Sequence, residues 1–263
     1  MMKKIALIYM GGTFGCVGNP LMPMPENEFI PLLEKVIPPH LDVDCFAAPS
    51  IKDSSACTAV DWLKLIQQIQ DLQLKNYQHF VIIHGTDTLS YAAATLARFL
   101  GQSSHIMITG SQYPLLNIEG NDTREFTDAL GNLNLALEQV LSLPVGTYLA
   151  FHQHIFHAQT VLKVHTTELD AFAGIDAHQS CQTSIENFIV QAEHIERASS
   201  LTVLNLMLQP IAKEQLAAQL ENLIKNYHAS NGKKGLLTFF LNNNDSIKKY
   251  ITNLSIGTNL NSE

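Results

Sequence analysis

The sequence predicts an α/β protein, with a large N-terminal domain built on a mainly parallel sheet flanked by helices and a smaller C-terminal α/β domain. Three observations carry this. Short apolar runs, Lys4 to Met10, Phe80 to Ile83 and His105 to Thr109, read as buried strands. Stretches of helical spacing separate them, and strand, helix and strand in alternation give parallel sheets. The runs stop at polar glycine turns, the strand ends at which active residues of open α/β sheets gather.

Composition narrows the function. At 263 residues the chain suffices for one large or two unequal domains. Hydrophobic content of 46% with 15% charged residues belongs to a globular protein. A net charge of -8 without a cluster of Lys and Arg argues against nucleic acid and for a small-molecule partner. The basic start Met1-Met2-Lys3-Lys4 is followed by an apolar run that ends at Gly11 with no A-x-A-like site, so no signal peptide is expected. No stretch reaches the ~18 apolar residues of a membrane span. A cytoplasmic protein without a membrane partner is therefore expected. Cys16, Cys45, Cys57 and Cys181 lack ligand spacing and read as reduced thiols, so no metal site is expected. His152, His154 and His157 read as solvent-facing or hydrogen-bonded residues, not ligands.

The elements follow in order. Lys4 to Met10 is a strand running into Gly11-Gly12-Thr13, and residues 14–25 are too rich in Gly and Pro for regular structure. A helix is expected over Glu26 to Val36 and a strand over Leu41 to Phe46, with Lys52-Asp53-Ser54-Ser55 as a polar strand-end cluster. Thr58 with Asp61 three residues on is a capping signature for a helix that buries Leu65, Ile66, Ile69 and Leu72 beside Trp62. Phe80 to Ile83 leads into His84-Gly85-Thr86-Asp87-Thr88 and a helix from Tyr91 to Leu100. After the strand His105 to Thr109 comes the turn Gly110 to Pro114, then a helix expected over Asp122 to Leu141 and a strand over Val145 to Phe151. From Leu201 the pattern changes to a strand at Val203 to Met207, a helix at Lys213 to Tyr227 and a strand at Gly235 to Leu241, before an Asn- and Ser-rich end. This divides the chain into a domain at 1–185, a linker at 186–200 and a partial domain at 201–263 with a divergent tail.

Two glycine turns each present a threonine, Thr13 and Thr86, the second beside Asp87. Such a turn can hold a nucleophile or a water next to an acid or base. Lys163 stands in a mostly uncharged stretch, either snorkelling from a half-buried strand or serving as a proton carrier that raises the nucleophilicity of a threonine.

Met10-Gly11-Gly12-Thr13, His84-Gly85-Thr86-Asp87-Thr88, and Lys163 followed by His165 and Asp170-Ala171-Phe172 together resemble the bacterial-type L-asparaginases, the asparaginase/glutaminase family. Asp53-Ser54-Ser55 and Thr109 to Pro114 add a likeness to its type I, cytosolic branch, over residues 3 to about 210. The resemblance implies hydrolysis of L-asparagine to L-aspartate and ammonia, no metal or organic cofactor, and a homodimer or homotetramer. It implies that Thr13 attacks the side-chain carbonyl to form an acyl-enzyme, and that Thr86, Asp87 and Lys163 form a second triad. Asp87 would also grip the substrate α-ammonium and Ser54 the α-carboxylate, with Ser55, Asp53 and Gly12 completing the substrate-binding set. The Thr86 backbone N–H would stabilise the oxyanion.

The sequence departs from the family in two places. Residues 14–28 lack the loop tyrosine that activates the nucleophile in the family, and the C-terminal domain is expected to be truncated. Competing expectations are an inactive amino-acid-binding remnant, which these departures favour, and ammonia release from L-glutamine as in the related glutamyl-tRNA amidotransferase subunit. One methylene separates asparagine from glutamine and is worth only ~1–3 kcal/mol in a pocket.

Overall fold

Six strands form the central sheet, with helices on both faces. The computed structural model describes residues 3–200, 202–207, 215, 218, 221, 222 and 235–240. The chain divides into two compact units, Met1–Ile195 and Glu196–Glu263. The elements in order are β1 (Lys4–Gly11), β2 (Cys16–Val17), β3 (Met22–Pro23), α1 (Glu26–Lys35), β4 (Asp42–Lys52), α2 (Ala59–Leu74), β5 (His79–Ile83), α3 (Leu89–Leu100) and β6 (His105–Thr109). They continue with α4 (Ala129–Gln139), β7 (Gly146–Phe151), β8 (His154–His157), β9 (Leu162–Lys163), β10 (Phe172–Ala173), α5 (Ala192–Ser200), β11 (Thr202–Met207) and β12 (Gly235–Phe240).

The sheet order is β4-β1-β5-β6-β7-β8. β1 is parallel to both β4 and β5, β6 and β7 continue the parallel set, and β8 closes the edge antiparallel to β7. Numbered by chain order, the five parallel strands run 2-1-3-4-5. The chain thus leaves β1 for one side and returns to the other, opening a crevice at the carboxyl ends of β1 and β5. Ile5 to Tyr9 and Phe80 to Ile83 have no exposure, as strands covered on both faces require. Ile5, Leu7, Tyr9, Val81, Ile83 and Met107 share one core with Phe29 and Leu33 of α1 and Leu133 and Leu137 of α4. By the pleat, Ala6, Ile8, Phe80 and Ile82 point the other way, to the face that α2 and α3 cover.

Local chemistry sets the helix ends. At α2 the Thr58 N–H and hydroxyl both donate to the Asp61 carboxylate, at 2.8 and 2.9 Å, and Lys52 pairs with Asp61 at 3.0 Å. Burial opposes its ionisation, but these donors and Ser50 hold the Asp61 carboxyl down at about 2. α3 starts two residues before the expected Tyr91 and buries Leu89, Ala92, Leu96 and Leu100. It stops at Gly101, whose φ of 50° other residues seldom adopt.

Three expectations need correcting. β4 continues past Phe46 to Lys52 through Pro49, which an edge strand accommodates because one side needs no ladder N–H. Within residues 14–25, expected to be irregular, β2 and β3 form a small antiparallel hairpin with Cys16 opposite Pro23 and Val17 opposite Met22. The helix expected from Asp122 begins only at Ala129. The preceding segment is folded back by a Leu116–Thr123 bridge and an Arg124 N–H to Leu115 carbonyl bond, which the helical repeat of leucines could not reveal.

The division between the two units falls after Ile195, whereas the expected linker is the segment 186–200. Phe188 and Val190, early in that segment, are hydrogen-bonded to Phe99 and Gln70 of the first unit. In the second unit β11 pairs parallel to β12, Thr202 opposite Gly235 through Met207 opposite Phe240. The expected helix at 213–227 lies outside the described residues, apart from helical Gln215, Ala218, Glu221 and Asn222, and so does the tail from Asn242.

Candidate active site

The crevice between β1 and β5 is closed at its floor by two touching glycine turns. Gly12 has φ 83° and ψ -175°, a conformation essentially confined to glycine. A methyl on Gly12 would collide with Gly85 Cα and stand 2.7 Å from the Gly85 nitrogen. A methyl on Gly85 would in turn stand 2.6 Å from Ser54 Oγ. The ends of β1 and β5 therefore meet backbone to backbone, with the Ser54 side chain packed against Gly85 from the end of β4. The Gly12 N–H, donating to the Lys52 carbonyl at 3.2 Å, ties the end of β1 to the end of β4.

Each segment contributes a functional group. After β4 the Asp53 carboxylate accepts the Ser55 N–H at 2.8 Å and starts a single helical turn. Ser54 is buried there, its Oγ accepting the Asp87 N–H at 3.2 Å and its carbonyl the Thr88 hydroxyl at 2.8 Å. After β5, Lys163 Nζ donates to Thr86 Oγ1 and pairs with Asp87 Oδ1, both at 3.0 Å. β9, paired antiparallel with β10 through Lys163 and Phe172, carries the lysine into this position.

Gly12, Thr13, Asp53, Ser54, Thr86, Asp87 and Lys163 line one almost wholly polar pocket of about 200 Å³. Ser55 is not part of it: its residue is exposed and its N–H is taken by Asp53. Gln112 and Thr166 line the pocket too and were missed as site residues. Gln112 accepts from the Thr86 hydroxyl at 3.4 Å and donates to the carbonyls of Thr166 and Glu168 at 3.1 and 2.8 Å, so it ties the threonine to the segment after β9. Its N–H and that of Tyr113 are held by the Asp128 carboxylate at 2.9 Å each. The available sequence signal was its place in a strand-end turn.

Thr13 Oγ1 makes no hydrogen bond among the described residues. Tyr9 is buried below in the core, its ring 4.5 Å from that of Phe29, and its hydroxyl has no partner among the described residues. Burial and then the neighbouring Cys16 push its phenol well above the usual range. The Cys16 thiol, 3.4 Å from the Gly12 carbonyl, is likewise pushed up by burial and then by Asp53, which disfavours a thiolate. His154 is exposed, whereas His157 is buried with Nε2 3.0 Å from the Gln179 carbonyl. Among the described residues no three His, Cys, Asp or Glu side chains cluster as a metal site needs, and no helix is long and apolar enough to cross a membrane.

A lysine set between a hydroxyl and a carboxylate can transfer a proton, and a small polar pocket with Asp87 at one side and Ser54 at another suits a zwitterion.

Residues 4–196 match the family profile described as asparaginase, N-terminal. The chain is 29% identical over 184 residues to L-asparaginase 1 of Escherichia coli, covering 65% of this chain and 50% of that protein. It is 31% identical over 189 residues to an L-asparaginase of Bacillus licheniformis, covering 65% and 53%. The chain thus spans about half the length of these curated relatives. The fold resembles that of the thermostable L-asparaginase of Thermococcus kodakarensis, with a TM-score of 0.63 at 21% identity over 82% of this chain and 67% of that one.

Proposed function

The chain belongs to the asparaginase family, and on that premise we propose that it hydrolyses L-asparagine to L-aspartate and ammonia through a threonine acyl-enzyme. The observation that carries the proposal is Lys163 Nζ, 3.0 Å from both Thr86 Oγ1 and Asp87 Oδ1 in a polar pocket that Thr13 also lines. An amide is a poor electrophile with a poor leaving group, so its hydrolysis needs an activated hydroxyl, an oxyanion donor and a proton for the departing nitrogen.

In this reading Asp87 holds the substrate α-ammonium and the Ser54 hydroxyl the α-carboxylate, with Asp53 shaping the turn that presents Ser54. Thr13 Oγ attacks the side-chain carbonyl carbon, and the oxyanion is met by the Thr86 N–H. The C–N bond breaks as the nitrogen takes up the proton that the Thr13 hydroxyl gave up on attack, and it leaves as ammonia. Thr13 is left esterified to the aspartyl group. Water, oriented by Thr86 with Lys163 managing its proton, then cleaves the ester and restores the threonine.

The test is ammonia release by the purified chain from L-asparagine and from L-glutamine, with Thr13→Ala and Thr86→Ala alongside. Turnover that falls by about 10³ or more in either variant supports the reading, since both hydroxyls take part in bond making or proton transfer. A folded wild-type chain with no turnover on either amide would refute it.

A further inference from the structure

Behind the Thr86 turn lies a pair of side chains that the reaction scheme does not use. His84 is 1% exposed. Its Nε2 stands 3.1 Å from the indole Nε1 of Trp62, and its Nδ1 stands 2.8 Å from the carbonyl oxygen of Gly85. An indole nitrogen can only donate, so Nε2 must be the acceptor and the imidazole proton must sit on Nδ1. The ring is thus a neutral imidazole of one tautomer, donating to Gly85. Burial keeps it neutral by lowering its pKa, against the opposing pull of the Gly85 carbonyl.

The carbonyl of Gly85 and the N–H of Thr86 belong to the same peptide plane. A strong donor on that carbonyl fixes the plane and draws electron density toward oxygen, making the N–H at the other end a better donor. The Thr86 N–H makes no hydrogen bond among the described residues, so its donor is free for an incoming group. We propose that Trp62 and His84 are positioning residues: Trp62 sets the tautomer of His84, and His84 orients and polarises the Gly85–Thr86 peptide so that its N–H stabilises the oxyanion. This rests on the amide-hydrolysis reading for its kinetic consequence, but not for the wiring itself. Removing an oxyanion donor costs about 10²–10³ in kcat, and cooperative strengthening is about 10–30% per bond. Losing the polarisation should lower kcat by roughly two- to eightfold.

Trp62 is the one tryptophan of the chain, so it can be replaced globally by β-(3-benzothienyl)alanine, which keeps the shape and deletes the N–H. Trp62→Phe is the genetic counterpart. In the wild type, nitrogen NMR of His84 should show a protonated Nδ1 and a bare Nε2. In the substituted proteins the tautomers should mix, the Thr86 amide nitrogen should shift upfield, and kcat should fall with KM for asparagine within about twofold. A wild-type ring protonated on Nε2, a Thr86 amide that stays in place when the tautomers mix, or an unchanged kcat under that condition would each overturn the proposal. Should the wild type turn over neither amide, the functional reading fails and the two NMR signatures alone decide the wiring.

Discussion

Replacing Gly12 by alanine should disable the pocket far more than it destabilises the fold. The residue has φ 83° and ψ -175°, a region that costs a side-chain-bearing residue about 1–3 kcal/mol. For a unit of this size that is a fall in Tm of roughly 2–12 °C. The added methyl would stand 2.7 Å from the Gly85 nitrogen, whereas ordinary carbon contacts lie at about 3.5–4.0 Å. The atoms in the way are backbone and have no rotamer to change. Relief therefore requires the 11–13 and 84–86 turns to separate by about 1 Å, and Thr13 and Thr86 must move with them. Misplacement on this scale costs about 10²-fold in rate. The assay is ammonia release at saturating asparagine, paired with thermal unfolding by circular dichroism. A variant that melts within this range but keeps wild-type kcat would refute the claim that glycine contact fixes the spacing of the two hydroxyls.

Gly131→Ala is the opposite case, because a methyl there meets nothing within 4 Å and the site is inside α4. It should stabilise by about 0.5–1 kcal/mol, seen as a Tm higher by a few degrees with activity unchanged. Lys163→Met should lower kcat by about 10²–10⁴ with little change in Tm, since the Asp87 side chain it leaves unpaired is 57% exposed and stays solvated; equal losses of stability and activity would point to a structural lysine. His79, stacked on His105 with ring centroids 4.6 Å apart, is pushed down to about 4 by burial and then by the charges of His105 and Lys3. The unfolded chain takes up that proton near 6.5, so stability is full above pH 6.5 and declines as the pH falls toward 4. Thermal melts at pH 7.5 and pH 5 should differ, and His79→Gln should narrow the gap; an unchanged gap would exclude His79 as its source.

What could be read from the sequence was whatever short-range patterning decides. Phe80 to Ile83 is apolar throughout because a central parallel strand is covered twice, and Thr58 with Asp61 announces α2 because cap and carboxylate are three residues apart. The pocket-lining positions Gly12, Thr13, Asp53, Ser54, Thr86, Asp87 and Lys163 came from motif and resemblance together. Contacts between distant positions were not legible. Gln112 reaches Thr86 across 26 residues and the Glu168 carbonyl across 56, and nothing local marks it as different from other turn glutamines. The start of α4 failed similarly, since Asp128 faces the Gln112 and Tyr113 amides 16 and 15 residues away, before the helix that the leucine repeat carries. Ser55 came from the resemblance alone, and in the single helical turn at 54–56 Ser54 is buried while Ser55 is exposed.

Because β1 and β5 are hydrogen-bonded neighbours, with Tyr9 opposite Ile83, the turns that carry the two threonines leave the sheet from adjacent strands. Adjacent strands are held at about 4.8 Å by the backbone whatever side chains they bear. Strand pairing thus sets which two turns lie side by side, and the contact of Gly12 with Gly85 sets how closely they approach. Away from the paired turns, the pocket wall is completed by the 164–170 stretch that Gln112 anchors, with Thr166 in the lining. Under the proposed hydrolysis, directed evolution confined to that segment should change which amide is accepted sooner than it changes how the amide is cut.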